Sequence, residues 1–245
     1  MSVEAEGEEV PGRRRLARAV LTGVAAVGAG LVAGSSRVPM APRTGGGAGS
    51  RPTTPASALR ELAAGNGRWR TYHERHPDQT RTVRRTLVAG QHPFAVVLGC
   101  VDSRVPPELV FDQGLGDLLT VRSAGEVLDE AVLGSIAYGV LELRIPLVVI
   151  LGHQSCGAVS AAVRAAEGGP PLPGHMQYLV DQIRPAIDRG LQGAERIDAA
   201  ITANVRLVRA RLAAEPEMAA KVAAGTLAVV GARYELTSQR VRVVR

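Results

Sequence analysis

The apolar positions of this chain fall into short blocks divided by polar loops, and two blocks dominate: residues 94–99 and residues 146–152. Each is an almost unbroken run of Val, Leu, Ile or Ala that ends at Gly (Gly99 and Gly152). Runs of that length suit strands buried on both faces of a parallel sheet. Elsewhere the spacing is helical. Ser57 can cap a helix that carries Leu59, Leu62 and Ala63, and Gly65-Asn66-Gly67 predicts its interruption. Residues 106–111 start with two prolines and predict a short helix. Residues 118–121 predict a short strand. Val132, Leu133, Ile136, Val140 and Leu141 predict a helix within 130–143, ended by Pro146. An Ala-rich helix over 157–166 stops at Gly168-Gly169-Pro170-Pro171, and two more helices fall in 176–187 and 195–212. Closing strands are predicted over 227–232 and 241–244, and the charged stretch 73–85 reads as an exposed arm. Alternating strands and helices predict an α/β fold: a mainly parallel central β-sheet flanked by helices, with an N-terminal helical arm. There is no internal repeat.

The amino terminus follows different rules. Glu4, Glu6, Glu8 and Glu9 precede Arg13-Arg14-Arg15-Leu16-Ala17-Arg18, and a mildly apolar run diluted by Gly23, Gly28 and Gly30 follows. A basic region before a short apolar segment is the layout of an export signal. The arginine pair followed by Leu16 and Ala17 resembles a twin-arginine signal. A membrane span needs about 20 strongly apolar residues, so no stable membrane insertion is expected after export. The alternatives are an uncleaved anchor or a basic arm that stays in the cytoplasm. The expected layout is an export signal and tail over 1–41, a Gly/Pro/Thr-rich linker over 42–55 and a catalytic domain over 56–245.

Composition narrows the choice. Aromatics make up only 3% of the chain, so the core must be built from Val, Leu, Ile and Ala. The formal net charge is +6, carried almost wholly by arginine, since Lys221 is the only lysine. These charges are scattered and not interleaved with stacking aromatics, so no nucleic-acid partner is expected.

The chemistry lies just past the two apolar blocks. The first runs into Cys100, Asp102 and Arg104, the second into His153, Cys156 and Gly157. Ligands gather at the carboxyl ends of parallel strands. Cys100, His153 and Cys156 form a three-ligand zinc set that leaves the fourth position to water. Such a water, as hydroxide, can attack a small electrophile such as CO2. Asp102 can accept a hydrogen bond from it, or can occupy the fourth position and close the site. Arg104 can pair with Asp102 in bidentate fashion and hold it off the metal. Buried structural thiols or a disulfide are the competing explanation for Cys100 and Cys156. His73 and His76 lack metal-binding partners, and His92 and His175 are not expected to act.

Cys100-x-Asp102-Ser103-Arg104 together with His153-x-x-Cys156-Gly157 resembles the β-class carbonic anhydrases. The resemblance extends through residues 108–117, 121–125 and 225–236, and covers about residues 57–245. It implies one Zn²⁺ per chain, CO2 and bicarbonate as substrate and product, and a homodimer or homotetramer. It implies catalytic roles for Asp102 and Arg104, and substrate-binding roles for Gln91, Leu119, Tyr138 and Gly157. Tyr138 matches a pocket tyrosine contributed across a dimer interface, and Leu119 stands where the family's plant-like members carry a pocket phenylalanine. Val97 stands where members with a bicarbonate-bound, closed form carry tryptophan, which implies an open, water-bound site. Ser123 and Glu126 depart from the commonest Arg-Asn-Ala-Gly-Asn form, with no expected effect on zinc. Hydrolysis of CS2 or COS on a homologous scaffold is the nearest alternative, and a non-catalytic zinc scaffold is the more distant one.

Overall fold

A computed structural model of the chain describes residues 51–245. The expected signal, and all but the end of the expected linker, lie outside the described residues. The elements run α1 (Pro55–Arg70), α2 (Arg81–Thr86), β1 (Ala95–Gly99), α3 (Pro107–Val110), β2 (Leu118–Arg122), α4 (Glu130–Ala137), β3 (Leu147–His153), α5 (Gly157–Ala166), α6 (Met176–Ile183), α7 (Gly193–Ala214), α8 (Pro216–Ala223), β4 (Ala228–Glu235) and β5 (Arg240–Val244).

The five strands form one sheet in the order β2-β1-β3-β4-β5. All neighbours are parallel except β4 and β5, which pair antiparallel. Strands β1 and β3 are buried at every position, as their unbroken apolar runs require. One face of the sheet (Val96, Leu98, Val148, Ile150) packs with Val132, Ile136, Val205 and Leu212 from α4 and α7. The other (Val97, Val149, Leu151, Ala232) packs against Leu62 of α1 and Val110 of α3. After β1 the chain moves to one edge to form β2, then crosses back over β1 to form β3. That reversal opens a crevice between the carboxyl ends of β1 and β3, the place where doubly wound sheets bind ligands.

Helix α1 corrects one expectation. It starts one turn earlier than the apolar pattern implied, with Thr54 as cap: Thr54 Oγ1 accepts from Ser57 N, and Ser57 Oγ accepts from Thr54 N. It also runs straight through Gly65-Asn66-Gly67 to Arg70. Gly65 is there for a close approach and not for a turn: a Cβ on it would lie 1.7 Å from the carbonyl oxygen of Phe111. Asn66 is buried and fully used. Its amide donates to Val110 O (3.1 Å) and Gln239 O (2.9 Å), and its oxygen accepts from Val241 N (2.9 Å). Tertiary contacts thus outweigh a local turn signal.

Other boundaries shift less. The helix expected over 130–143 is α4 followed by a π-turn over Tyr138–Glu142, and α8 was not anticipated. The stretch 73–85 is largely exposed, although Asp112 accepts from the backbone nitrogens of Arg75 and His76 and so pins its start. No described helix is long and apolar enough to cross a membrane.

Candidate active site

The crevice brings both sequence blocks together. Strand β1 ends at Gly99, and Cys100 opens the first loop; β3 ends on His153, and Cys156 caps α5 two residues beyond Gln154. Parallel pairing with Gly99 opposite Leu151 sets Cys100 and His153 at one rim. Ser155 takes a left-handed conformation (φ 55°), which turns the second loop so that Cys156 returns toward His153. Gly157 is the first residue of α5.

Cys100, His153 and Cys156 are all buried, and their ligand atoms lie within 4.8 Å of one another. The two sulfurs are 3.9 Å apart and both cysteines are free, which removes the disulfide alternative. Tetrahedral zinc with Zn–S bonds of ~2.3 Å separates two sulfurs by about 3.8 Å, so the spacing fits. His153 is prepared for the same task. Its Nδ1 pairs with the Gln154 carbonyl at 2.9 Å, which leaves Nε2 as the free lone pair, and Nε2 is buried without a hydrogen-bond partner.

The metal-free pair of thiols is electrostatically split. A hydrogen bond from Cys156 pulls Cys100 far below the usual thiol range against the opposing effect of burial; His153, Gly125 N and Asp102 N add to the pull. Cys156 is pushed up by that same shared hydrogen bond and by burial. One proton shared by two sulfurs is what a dication displaces on binding.

Asp102 sits beside this cluster but is held by Arg104. Its Oδ1 accepts from Arg104 N (3.0 Å) and Nε (2.9 Å), and its Oδ2 accepts from Arg104 Nη2 (2.7 Å). Oδ2 is 3.9 Å from His153 Nε2. The Arg104 hydrogen bond holds the Asp102 carboxyl down at about 2. Arg104 Nη2 also reaches Ser155 O (3.4 Å), so one guanidinium ties the two loops.

Two residues near the cluster take roles that the sequence reading did not assign. Arg122, at the end of β2, donates to the carbonyl oxygens of Cys100 (2.8 Å) and Asp102 (2.7 Å), and so fixes the first loop. Glu126 is 2% exposed in a left-handed conformation (φ 54°), and its Oε1 is buried without a partner; its Oε2 faces the amide of buried Asn204 at 3.5 Å. Burial, then the nearby Cys100 thiolate, pushes the Glu126 carboxyl well above the usual range. The preceding Gly125 (φ 66°) donates its N–H to Cys100 Sγ at 3.4 Å. A left-handed Gly followed by an acid gives no sequence signal for this inward turn.

The pocket residues divide. Leu119 and Tyr138 line one open cavity of about 670 Å³ between β2 and α4, with Arg122 in its wall. Tyr138 is 47% exposed there. Gln91 lies in the exposed loop before β1 and does not line that cavity.

Fold and site define a class of protein: a doubly wound zinc enzyme with a Cys-His-Cys centre and an adjacent Asp–Arg pair. Comparison with known proteins narrows the class. Residues 95–241 match the family model for carbonic anhydrase. The chain is 43% identical over 193 residues to carbonic anhydrase 2 of Mycobacterium tuberculosis, spanning 77% of this chain and 92% of that protein. It is 42% identical over 193 residues to the carbonic anhydrase of Mycolicibacterium smegmatis (78% and 94%). Among solved structures, it is similar to the β-carbonic anhydrase CafA of Aspergillus fumigatus: TM-score 0.61, 25% identity, 77% of this chain and 89% of that one. The fold is shared with tetrameric β-carbonic anhydrases of Sordaria macrospora: TM-score 0.62, 21% identity, 76% and 96%. The chain belongs to the carbonic anhydrase family, in its β class. It is a zinc-dependent enzyme of reversible CO2 hydration.

The raised Glu126 pKa has a measurable consequence. The folded state keeps this proton where the unfolded chain releases it, so its contribution to stability is full below the ordinary glutamate pKa and is lost as pH rises through the folded value. Glu126→Gln should therefore lose less stability than the unsubstituted protein between about pH 5 and 9. Denaturant midpoints of the zinc-loaded proteins across that range measure the difference; identical slopes would contradict a neutral, buried Glu126.

Proposed function

We propose that Cys100, His153 and Cys156 hold the zinc and that Asp102, restrained by Arg104, orients the attacking water for CO2. When bound, the zinc supplies a Lewis acid that lowers the pKa of a water beside it toward neutrality. The observation that carries the reading is the bidentate Asp102–Arg104 pair, with Oδ2 3.9 Å from the unpartnered His153 Nε2. A carboxylate ionised down to about 2 is an acceptor throughout the working range. It receives a hydrogen bond from the water and turns the oxygen lone pair toward the substrate. It is too weak a base to keep the released proton, which passes to solvent and buffer. Arg104 occupies both carboxylate oxygens and keeps Asp102 from serving as a fourth ligand. Arg122 holds the backbone of the same loop. Val97 in place of tryptophan supports this open form.

Asp102→Asn should keep its zinc and lose hydration activity by on the order of 10²-fold, as for loss of a positioned acid-base group. Because Asp102 titrates at about 2, the residual activity should keep the parent's apparent pKa near neutrality. Arg104→Ala should also lose activity, with Asp102 free to reach the metal. Stopped-flow CO2 hydration from about pH 6.5 to 9, with zinc analysis, tests all three. An Asp102→Asn enzyme of parental rate would remove the assigned role.

The working unit in this reading is a homo-oligomer. Strand β2 is an edge strand, and the Leu119–Tyr138 cavity beside it is open to solvent. A second copy on this edge would cover the cavity and bring its own Tyr138 toward the crevice. Light scattering should give a dimer or tetramer, and Tyr138→Arg should weaken it and the activity together; a fully active monomer would reject the arrangement.

The catalytic domain over 56–245 is exported in this reading, because Arg13-Arg14 precede an apolar run of signal length. Replacing both arginines by lysine should leave an uncleaved precursor inside the cell. Unchanged secretion in a host without twin-arginine machinery would reject that route.

A further inference from the structure

On the face of the sheet away from α7, α1 lies across β3, β4 and β5 and does not fill the space beneath it. A cavity of about 170 Å³ remains, with Leu62, Phe111, Val149 and Val230 in its walls. Protein interiors rarely keep apolar voids much larger than a water molecule, because the lining atoms forfeit their contacts. The rim of this void is as informative as its walls. Arg70, the last residue of α1, and Arg240, the first of β5, both line it, and no acidic side chain does. Arg70 Nε is buried and has no hydrogen-bond partner. Asn66, the other polar residue in the lining, is spent on backbone groups: it ties α1 to β5 and to the end of α3, and so holds the walls apart.

A half-open apolar cavity with the buried, unpartnered Nε of Arg70 and the exposed Arg240 at its rim suits an anionic head on an apolar body. We propose that it binds a small monocarboxylate, with the carboxylate on Arg70 and Arg240 and an apolar body of about six carbons inside. The size follows from volume, since an apolar cavity of about 150 Å³ takes up benzene. The charge follows from the rim, where a buried donor without an acceptor carries a desolvation cost that an incoming anion removes. This site is separate from the metal centre. It is lined by Val149 and Ala232, within β3 and β4, and contains neither the ligands nor Asp102.

The test uses the zinc-loaded full chain, with hexanoate as probe and 1-hexanol as neutral control, followed by calorimetry and by amide NMR shifts. Hexanoate should bind saturably, at least about tenfold more tightly than 1-hexanol, with shifts confined to α1, β3, β4, β5 and the turn after α3 that carries Phe111. Arg70→Gln should lose about tenfold in hexanoate affinity and leave 1-hexanol unchanged. Gly67→Leu should abolish binding of both. Gly67 lies in α1 and lines the cavity, and a Cβ on it meets nothing within 4 Å, so the larger side chain enters open space. Leu is also the better helix former, which keeps the variant folded. Both variants should retain parental CO2 hydration.

Three results would overturn the proposal. Absence of saturable hexanoate binding would mean the cavity is closed to the ligand, for instance by a second copy on this face. Undiminished hexanoate affinity in Gly67→Leu would place the acid elsewhere, such as the metal centre. Equal affinity in Arg70→Gln would reject the carboxylate assignment.

Discussion

Two buried sulfurs 3.9 Å apart are the constraint that the rest of the structure serves. Two thiolates at that distance cannot share an apolar pocket without a compensating cation. The metal-free chain answers by splitting the pair, with Cys100 lowered and Cys156 raised. In the proposed function, a zinc dication held by both sulfurs would cancel both charges. Holding the sulfurs so close depends on the sheet: β1 and β3 must be parallel neighbours in the Gly99–Leu151 register. It also depends on the left-handed Ser155, which folds the second loop back. Metal affinity and fold are therefore linked.

Charge around the centre is arranged to leave that balance alone. Asp102 brings a negative charge, but Arg104 meets it with two parallel hydrogen bonds. Glu126 brings another carboxyl, whose pKa burial pushes well above the usual glutamate range. Arg122 spends its guanidinium on backbone carbonyls and thereby fixes the loop that carries both Cys100 and Asp102.

The candidate site was legible in the sequence because its chemistry sits directly behind the two most apolar blocks. Val96 to Leu98 and Leu147 to Leu151 read as buried parallel strands, and the residues just past them are Cys100, Asp102, His153 and Cys156. What was not legible depends on contacts distant in sequence. Gly65-Asn66-Gly67 looks like a turn because the local pattern holds no trace of Phe111, against whose carbonyl Gly65 packs, or of Val241, which Asn66 holds. Glu126 reads only as a departure from the family segment, because its inward direction comes from a left-handed backbone turn. The cavity under α1 is a shortage of volume among residues from four separate elements and the turn after α3, and no local pattern encodes it.

Zinc K-edge absorption fine structure of the purified, zinc-loaded protein tests the account most directly. The account predicts two sulfur neighbours at ~2.3 Å, one imidazole nitrogen at ~2.0 Å and one further light atom, with the same shell in Asp102→Asn. A centre with no sulfur neighbours, or one whose light-atom shell changes when Asp102 is replaced, would contradict it.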